Sequence, residues 1–374
     1  MTSDTPLAST IKTLDSIPFH MPGHKRNAAM LGDALPWAMD ITEIPGFDNL
    51  QHPEGVLRGL TRRAAALWGS KAAYISVNGS TGAILAGIRA MTEQGDKILV
   101  ARNCHMSVFH AMELRELQPV YLEPEWLPEW GIYGRVTQEA LDQALAAHPD
   151  AALCVITSPT YEGMQSELAC PVPLYIDAAH GAHLPLPKAD LVNTSTHKTL
   201  PALTQTALLH VMTGRVDLSN LEHQLRVFQT SSPSYLLMAS IEQCVALLEE
   251  RRTALFSAWQ RRLDVFYDHA KQWRSLRLLQ PDDRSKLVVY CGFDPADLLH
   301  KHRIEPEYIQ NGRVLFLTSP CDTDGMMAAL AAALDEIDAQ TPKIEPPSYP
   351  IPPKRSILNF QSSIPFPPGI PTLS

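Results

Sequence analysis

With 374 residues, 45% of them apolar, the chain is long enough for two domains built around a substantial core. A net charge of -9 argues against a nucleic-acid or anionic-membrane partner, and an acidic balance of this size is too common to select cationic substrates by itself. Six cysteines without paired metal-ligand spacing point to reduced thiols, and neither a leader-like start nor an apolar run of bilayer length is visible, so a cytoplasmic protein is expected.

In chain order, residues 1–50 are rich in Pro, Asp and Gly with little helical period, which suggests an arm that wraps the body or a neighbouring subunit. From 51 to about 215, short apolar runs alternate with helical stretches, the pattern of a mostly parallel sheet covered by helices. A strand over 74–77 runs into a glycine turn and a helix over 83–91. Such a turn points free N–H groups and hydroxyls at one spot, so Asn78, Gly79, Ser80 and Thr81 form either an ordinary N-cap or a phosphate cup. After a strand over 96–100, His105 falls where strand becomes helix, at the carboxyl end of the sheet; it reads as a polar cap or as a ring that stacks on a bound heterocycle. A helix over 138–147 and a strand over 152–156 follow.

The strand that opens at Leu174 carries Asp177 and His180, and the run Ser195-Thr196-His197-Lys198 comes shortly after it. An aspartate that ends an apolar strand is often a turn former, and a lysine beside a histidine is often a solvated pair. Their spacing, with the glycine turn upstream, makes them look like the lysine and the ring-nitrogen aspartate of a pyridoxal phosphate enzyme. That cofactor needs one amine to hold it and one carboxylate to charge its ring. Further on, Thr230 and Ser231 read as phosphate or interface contacts, or as caps of the next helix. A long amphipathic helix over 236–270 leads to a smaller α+β domain with strands over 286–290 and 313–317 and a helix over 325–339. The Pro-rich stretch from Lys343 reads as an extended strap. The expected organisation is an arm (1–50), a large domain (51–235), a small domain with its linking helix (236–342) and a tail (343–374). No metal site is expected: Pro22-Gly23 breaks any helix that would align His20 with His24, and His180 and His183 have no ligand companions at a recognisable spacing.

The motifs Phe19-His20-Met21-Pro22-Gly23-His24-Lys25, Asp40-Ile41-Thr42-Glu43, Val77-Asn78-Gly79-Ser80-Thr81, Arg102-Asn103-Cys104-His105, Ser158-Pro159-Thr160-Tyr161-Glu162-Gly163, Asp177-Ala178-Ala179-His180-Gly181-Ala182-His183, Thr196-His197-Lys198-Thr199-Leu200, Leu203-Thr204-Gln205 and the run from Thr230 to Ser240 occur in this order. On these motifs the chain resembles the short-form Orn/Lys/Arg decarboxylases, pyridoxal phosphate enzymes of the aspartate aminotransferase fold type, over nearly its whole length. The resemblance implies a fold-type-I large domain with a mostly parallel seven-stranded sheet and a small α+β domain. It also implies a homodimer or larger homo-oligomer and α-decarboxylation of arginine, lysine or ornithine.

By the same resemblance, Lys198 matches the lysine that holds the cofactor, Asp177 the carboxylate at the pyridine nitrogen, His180 a partner of the ring hydroxyl and His105 the stacking ring. Ser80, Thr81 and His197 match phosphate contacts, and Ser195 stands where related enzymes carry another hydroxyl. His20, His24 and Lys25 either approach the substrate from the arm or only order a dimer. The chain departs from the pattern at Ala178, where the family has Glu, and at Met106, where it has Lys. The connection over 167–173 is shortened, and the stretch Pro365-Phe366-Pro367-Pro368-Gly369-Ile370-Pro371, which resembles a motif inside the family's C-terminal domain, lies close to the last residue, so that domain is expected to be abbreviated. Two other readings stay open: another fold-type-I activity, such as an aminotransferase or lyase, and a cofactor-binding homologue with a regulatory role.

Overall fold

Runs of Val, Ile and Leu buried on both faces build the central sheet. In the computed structural model, which describes residues 5–342 and 348–351, its strands are β1 (Ala72–Ser76), β2 (Lys97–Ala101), β3 (Gln118–Leu122), then, past a two-stranded hairpin of β4 (Trp126–Leu127) and β5 (Ile132–Tyr133), β6 (Leu153–Thr157), β7 (Leu174–Asp177), β8 (Leu191–Ser195) and β9 (Ala207–Val211). Their spatial order is β1-β9-β8-β7-β6-β2-β3. The pairs from β8 through β7, β6 and β2 to β3 are parallel, and β9 runs antiparallel to both its neighbours. This is the mostly parallel seven-stranded sheet that the resemblance implies. β7, β8 and β9 are buried at every position, and each large apolar side chain so placed contributes about 1.5–3 kcal/mol.

The helices are α1 (Pro6–Lys12), α2 (Ala28–Leu31), α3 (Val56–Trp68), α4 (Gly79–Ala90), α5 (Met106–Arg115), α6 (Gln138–Ala147), α7 (Leu218–Phe228), α8 (Tyr235–Ala270), α9 (Ala296–Lys301) and α10 (Asp324–Gln340). α4 and α5 share one core with the inner strands, while α1, α3 and the first part of α8 share a second core with β1 and β9. α8, at 36 residues about 54 Å long, then contributes Trp259, Leu263, Phe266 and Tyr267 to a third core beside the smaller sheet. That sheet is antiparallel, made of β10 (Arg277–Leu278), β11 (Lys286–Tyr290), β12 (Tyr308–Gln310) and β13 (Arg313–Leu317) in the order β10-β11-β13-β12.

Three local outcomes differ from, or add to, the sequence reading. The arm holds a helix, α1, with Leu7, Ala8 and Ile11 buried. Seven residues are too few for periodicity to declare a helix, and the buried carboxylate of Glu242 on α8 stabilises this one by accepting from the N–H groups of Leu7 (3.0 Å) and Ala8 (2.9 Å). The shortened connection between β6 and β7 contains no helix, yet the strands pair in register, Thr157 opposite Asp177. The side chain of Gln138 fixes that connection by accepting from Ala169 N (2.8 Å) and donating to Ala169 O (3.1 Å). Finally, α8 is capped by Ser234, not by the exposed Thr230 or Ser231. Most of the Pro-rich tail, including the motif at Pro365–Gly369, lies outside the described residues.

Candidate active site

Because β2, β6, β7 and β8 run parallel, the residues that leave their carboxyl ends converge along one edge of the sheet. β1 points the same way, since β9 reverses between it and β8, so the turn that opens α4 reaches this edge too. Asp177 ends β7 and is 2% exposed. Both of its hydrogen bonds go to Oδ1, from Asn193 Nδ2 (2.7 Å) and Ala179 N (3.1 Å), and among the described residues Oδ2 has no protein donor. Lys198 Nζ lies in hydrogen-bond contact with Nε2 of the buried His180 at 2.9 Å; donation by Lys198 corresponds to the tautomer with the ring proton on Nδ1. That Nδ1 is buried without a partner.

The electrostatics follow from this crowding. Burial lowers the Lys198 amine below the ordinary lysine range; Asp177 and Glu307 oppose the shift and Lys286 adds to it. His180 is held well below the usual imidazole range by burial, reinforced by the cations of Lys198 and Lys286, so it is neutral and can accept from Lys198. His105 is lowered as well, first by desolvation, with Asp177 pulling it back up and Lys198 pushing it down. His105 caps α5, accepting from Ser107 N at 3.2 Å through Nδ1. This cap leaves the ring exposed.

At the opening of α4, Gly79 adopts φ +67, a conformation that L side chains rarely take, and donates to Gln205 O at 2.9 Å. Asn78 occupies the N-cap position but makes no capping bond, and its Oδ1 is buried without a partner, so the first-turn N–H groups of α4 keep no side-chain acceptor from it. Ser80 Oγ lies 2.8 Å from Ser195 Oγ, which joins the turn to the end of β8. Thr81 is exposed at the rim. His197 Nδ1 donates to Thr206 O at 2.8 Å, and burial lowers its pKa.

The match to the model of the Orn/Lys/Arg decarboxylase major domain runs over residues 6–277, well over half of the chain. The chain belongs to the Orn/Lys/Arg decarboxylase family. It is 34% identical over 384 residues to an arginine decarboxylase of Bacillus subtilis (strain 168), covering 90% of this chain and 78% of that one. Among solved structures it is similar to the Francisella novicida lysine decarboxylase LdcF, with a TM-score of 0.75 at 20% identity; 90% of this chain is covered, and it spans 60% of that one. The same fold appears in a structure of SPT with pyridoxal phosphate, with a TM-score of 0.57 at 12% identity over 75% of this chain and 76% of that one.

The two family departures are now placed. Ala178 is buried in the sheet core and donates its N–H to Asn193 O at 3.0 Å, and Met106, the first residue of α5, packs against the same core. Both positions have become packing positions. Of the arm residues, His24 pairs with Asp40 at 3.0 Å and meets the Trp37 ring at a tilt, centroids 5.2 Å apart, and Lys25 donates to His20 O. No described hydrogen bond or ring contact joins His20, His24 or Lys25 to Lys198.

One wall of the site was missed from the sequence. Tyr161 meets the His180 ring edge-on at 4.6 Å, stacks on Tyr308 at 5.8 Å and donates to Glu307. Tyr308 in turn donates to Glu162 at 3.2 Å, and burial raises the pKa of Glu162. Glu307 and Tyr308 come from the smaller sheet, more than 100 residues after Lys198, and nothing in their local sequence marks them. The available signal was Tyr161-Glu162, which sits within a family motif.

The residues present fit pyridoxal phosphate: an amine of lowered pKa, a carboxylate oxygen without a protein donor, an imidazole that interacts electrostatically with both, and a helix start with open N–H groups. Lys198 would hold the aldehyde carbon, Asp177 the ring nitrogen, and the turn from Asn78 to Thr81 with Ser195 the phosphate.

Proposed function

We propose that the protein decarboxylates a basic amino acid, arginine, lysine or ornithine, to the corresponding amine, with pyridoxal phosphate as cofactor. The observation that carries this reading is the Lys198–His180 hydrogen bond set beside a buried Asp177 whose Oδ2 has no donor. When bound, pyridoxal phosphate supplies a ring that takes up the electron pair of the bond broken at the substrate Cα. Asp177, oriented by its two donors, would hold a proton on the ring nitrogen opposite it. Neutral His180 would accept from Lys198 and keep the amine oriented. The Lys198 amine, held by His180, would be the group that returns a proton to Cα. The ring of His105 would cover one face and exclude water. Glu307, with the paired rings of Tyr161 and Tyr308, supplies the negative and aromatic wall that a distal ammonium or guanidinium requires.

A homodimer fits the arm, where Phe19 is 94%, Ile17 82% and Met30 81% exposed, more large apolar surface than one segment of a monomer normally shows. The free thiols and the lack, among the described residues, of a helix able to cross a membrane are compatible with a cytoplasmic setting.

The test is a mass-spectrometric product assay on cofactor-loaded protein given arginine, lysine or ornithine, beside Lys198→Ala. Agmatine, cadaverine or putrescine, formed only with Lys198 intact, is the expected result and names the substrate. A keto acid, or no product from any of the three despite cofactor trapped on Lys198 by borohydride, would overturn it.

A further inference from the structure

We propose that Lys286 is a positioning residue of this site, a buried cation that the smaller sheet presses against the His180 main chain and whose charge acts on Lys198. Lys286 opens β11 and is 0% exposed. Its ammonium has three partners: an ion pair with Asp283 Oδ2 (3.2 Å), Ser285 Oγ (3.1 Å) and the carbonyl oxygen of His180 (3.3 Å). The other oxygen of Asp283 accepts from His183 Nε2 at 3.1 Å and Ser285 N at 3.0 Å. His180 and His183 follow β7 in the large domain, while Asp283 and Lys286 belong to the small one, so the cluster crosses between them one residue contact from Lys198.

The junction is tight. Gly163, at φ +94, accepts from Asp283 N at 2.9 Å, and a Cβ there would stand 2.8 Å from Asp283 O and 3.0 Å from Lys286 Cγ. Apolar residues would join two domains at lower desolvation cost than a buried ion pair, so a charge kept at this place needs a use for the charge. The groups that face Lys198 are Asp177 from β7, His180 from the loop after it, His105 from the start of α5, His197 beside it in the chain, Glu307 from the approach to β12, and Lys286 from β11. Asp177 and Glu307 favour the protonated amine. Lys286 is the cation among them that opposes it from a fixed, buried position, and the bond to His180 O also holds the loop that aims Nε2 at Lys198. The consequence is a larger fraction of neutral, nucleophilic amine at neutral pH.

This inference rests on Lys198 as the reactive amine, and its test reads that amine directly. Cofactor-free full-length protein is labelled with acetic anhydride across pH, and acetylation of Lys198 is followed by peptide mass spectrometry. In Asp283→Asn/Lys286→Gln, which keeps side-chain volume and hydrogen-bonding capacity while removing both charges, the midpoint is expected to rise by about one pH unit, a tenfold loss of labelling at neutral pH. Lys286→Arg, which keeps the cation, is expected to leave the midpoint near that of the unsubstituted chain. An unmoved midpoint in the neutral pair, or an equal rise in Lys286→Arg, overturns the proposal; should the neutral pair not fold, by circular dichroism, the arginine variant decides by the same criterion. Borohydride trapping of pyridoxal phosphate on the unsubstituted chain separates the two readings: without trapping at Lys198 the cofactor assignment fails, whatever the midpoint does.

Discussion

The two ends of β7 and β8 bury one carboxylate each, and the two are treated differently. At one end Asp190, 0% exposed, accepts from Leu174 N (2.8 Å), from Arg215 Nε (2.9 Å) and Nη2 (2.7 Å), and from Thr213. At the other, Asp177 has two donors on one oxygen and none on the second. Burying a polar atom without a partner is unfavourable. The donors around Asp190 occupy both its oxygens, whereas one oxygen of Asp177 stays open to a further donor. The same asymmetry holds around Asp177, where His180 Nδ1, Asn78 Oδ1 and Asn193 Oδ1 are all buried without partners.

That contrast can be broken by substitution. The largest effect is expected for Asp177→Asn, which removes the charge opposite the ring nitrogen: turnover should fall about 10²–10³-fold, the range for losing one preorganised electrostatic contact, with thermal stability preserved. Retained turnover would take Asp177 out of the chemistry. Glu307→Gln comes next. Loss of a charged partner for the substrate's distal cation, about 1.5–3 kcal/mol, should raise KM about 10–100-fold and leave kcat nearly unchanged; steady-state kinetics on the accepted amino acid would show whether the loss falls on kcat instead.

At the satisfied end the outcome should be reversed. Asp190→Asn is expected to cost about 1–3 kcal/mol of stability in urea unfolding, because it disrupts a set of buried donors, while cofactor trapping on Lys198 is unchanged. Burial pushes the pKa of Asp190 up, but hydrogen bonds from Thr213, Leu174 N–H and Arg215, with the Arg215 charge, hold it below the ordinary carboxylate value. Since the folded-state pKa is depressed, this stabilisation is present above the unfolded-state pKa of about 3.9 and is lost as pH falls through the folded value. Unfolding measured from pH 6 to pH 2 should therefore show an acid-dependent loss in the unsubstituted chain that is smaller in Asp190→Asn. The smallest effect is assigned to Ser80→Ala. Removing one hydroxyl from the α4 turn, worth about 1 kcal/mol, should weaken pyridoxal phosphate retention about fivefold in equilibrium dialysis, with Ser195 still in place.

The contrast also separates what was legible in the chain from what was not. Lys198, Asp177 and His180 stand in short motifs that carry the family resemblance, and the strands over 286–290 and 313–317 were readable because a run of four apolar residues follows Lys286 and Arg313. α8 was readable from its long amphipathic period, within one residue at its start. α1 was not, because its stability comes from Glu242, more than 230 residues away. β3, β8 and β9 were left unassigned, since short strands gain their definition from pairing, and Leu191–Ser195 has three polar residues within a fully buried strand.

By itself, then, the sequence determined the family and the class of sheet, through a resemblance carried by motifs whose order along the chain is local: strand, turn, helix start, lysine. Only the tertiary structure decided which groups surround that lysine. Nothing in the local sequence marks Glu307, Tyr308 or Asp283, and Lys286 reads only as the first residue of a strand. They come together because α8 carries the smaller sheet back against the carboxyl edge of the larger one, where Lys286 is buried against Asp283 and the His180 carbonyl, and Tyr308 stacks on Tyr161.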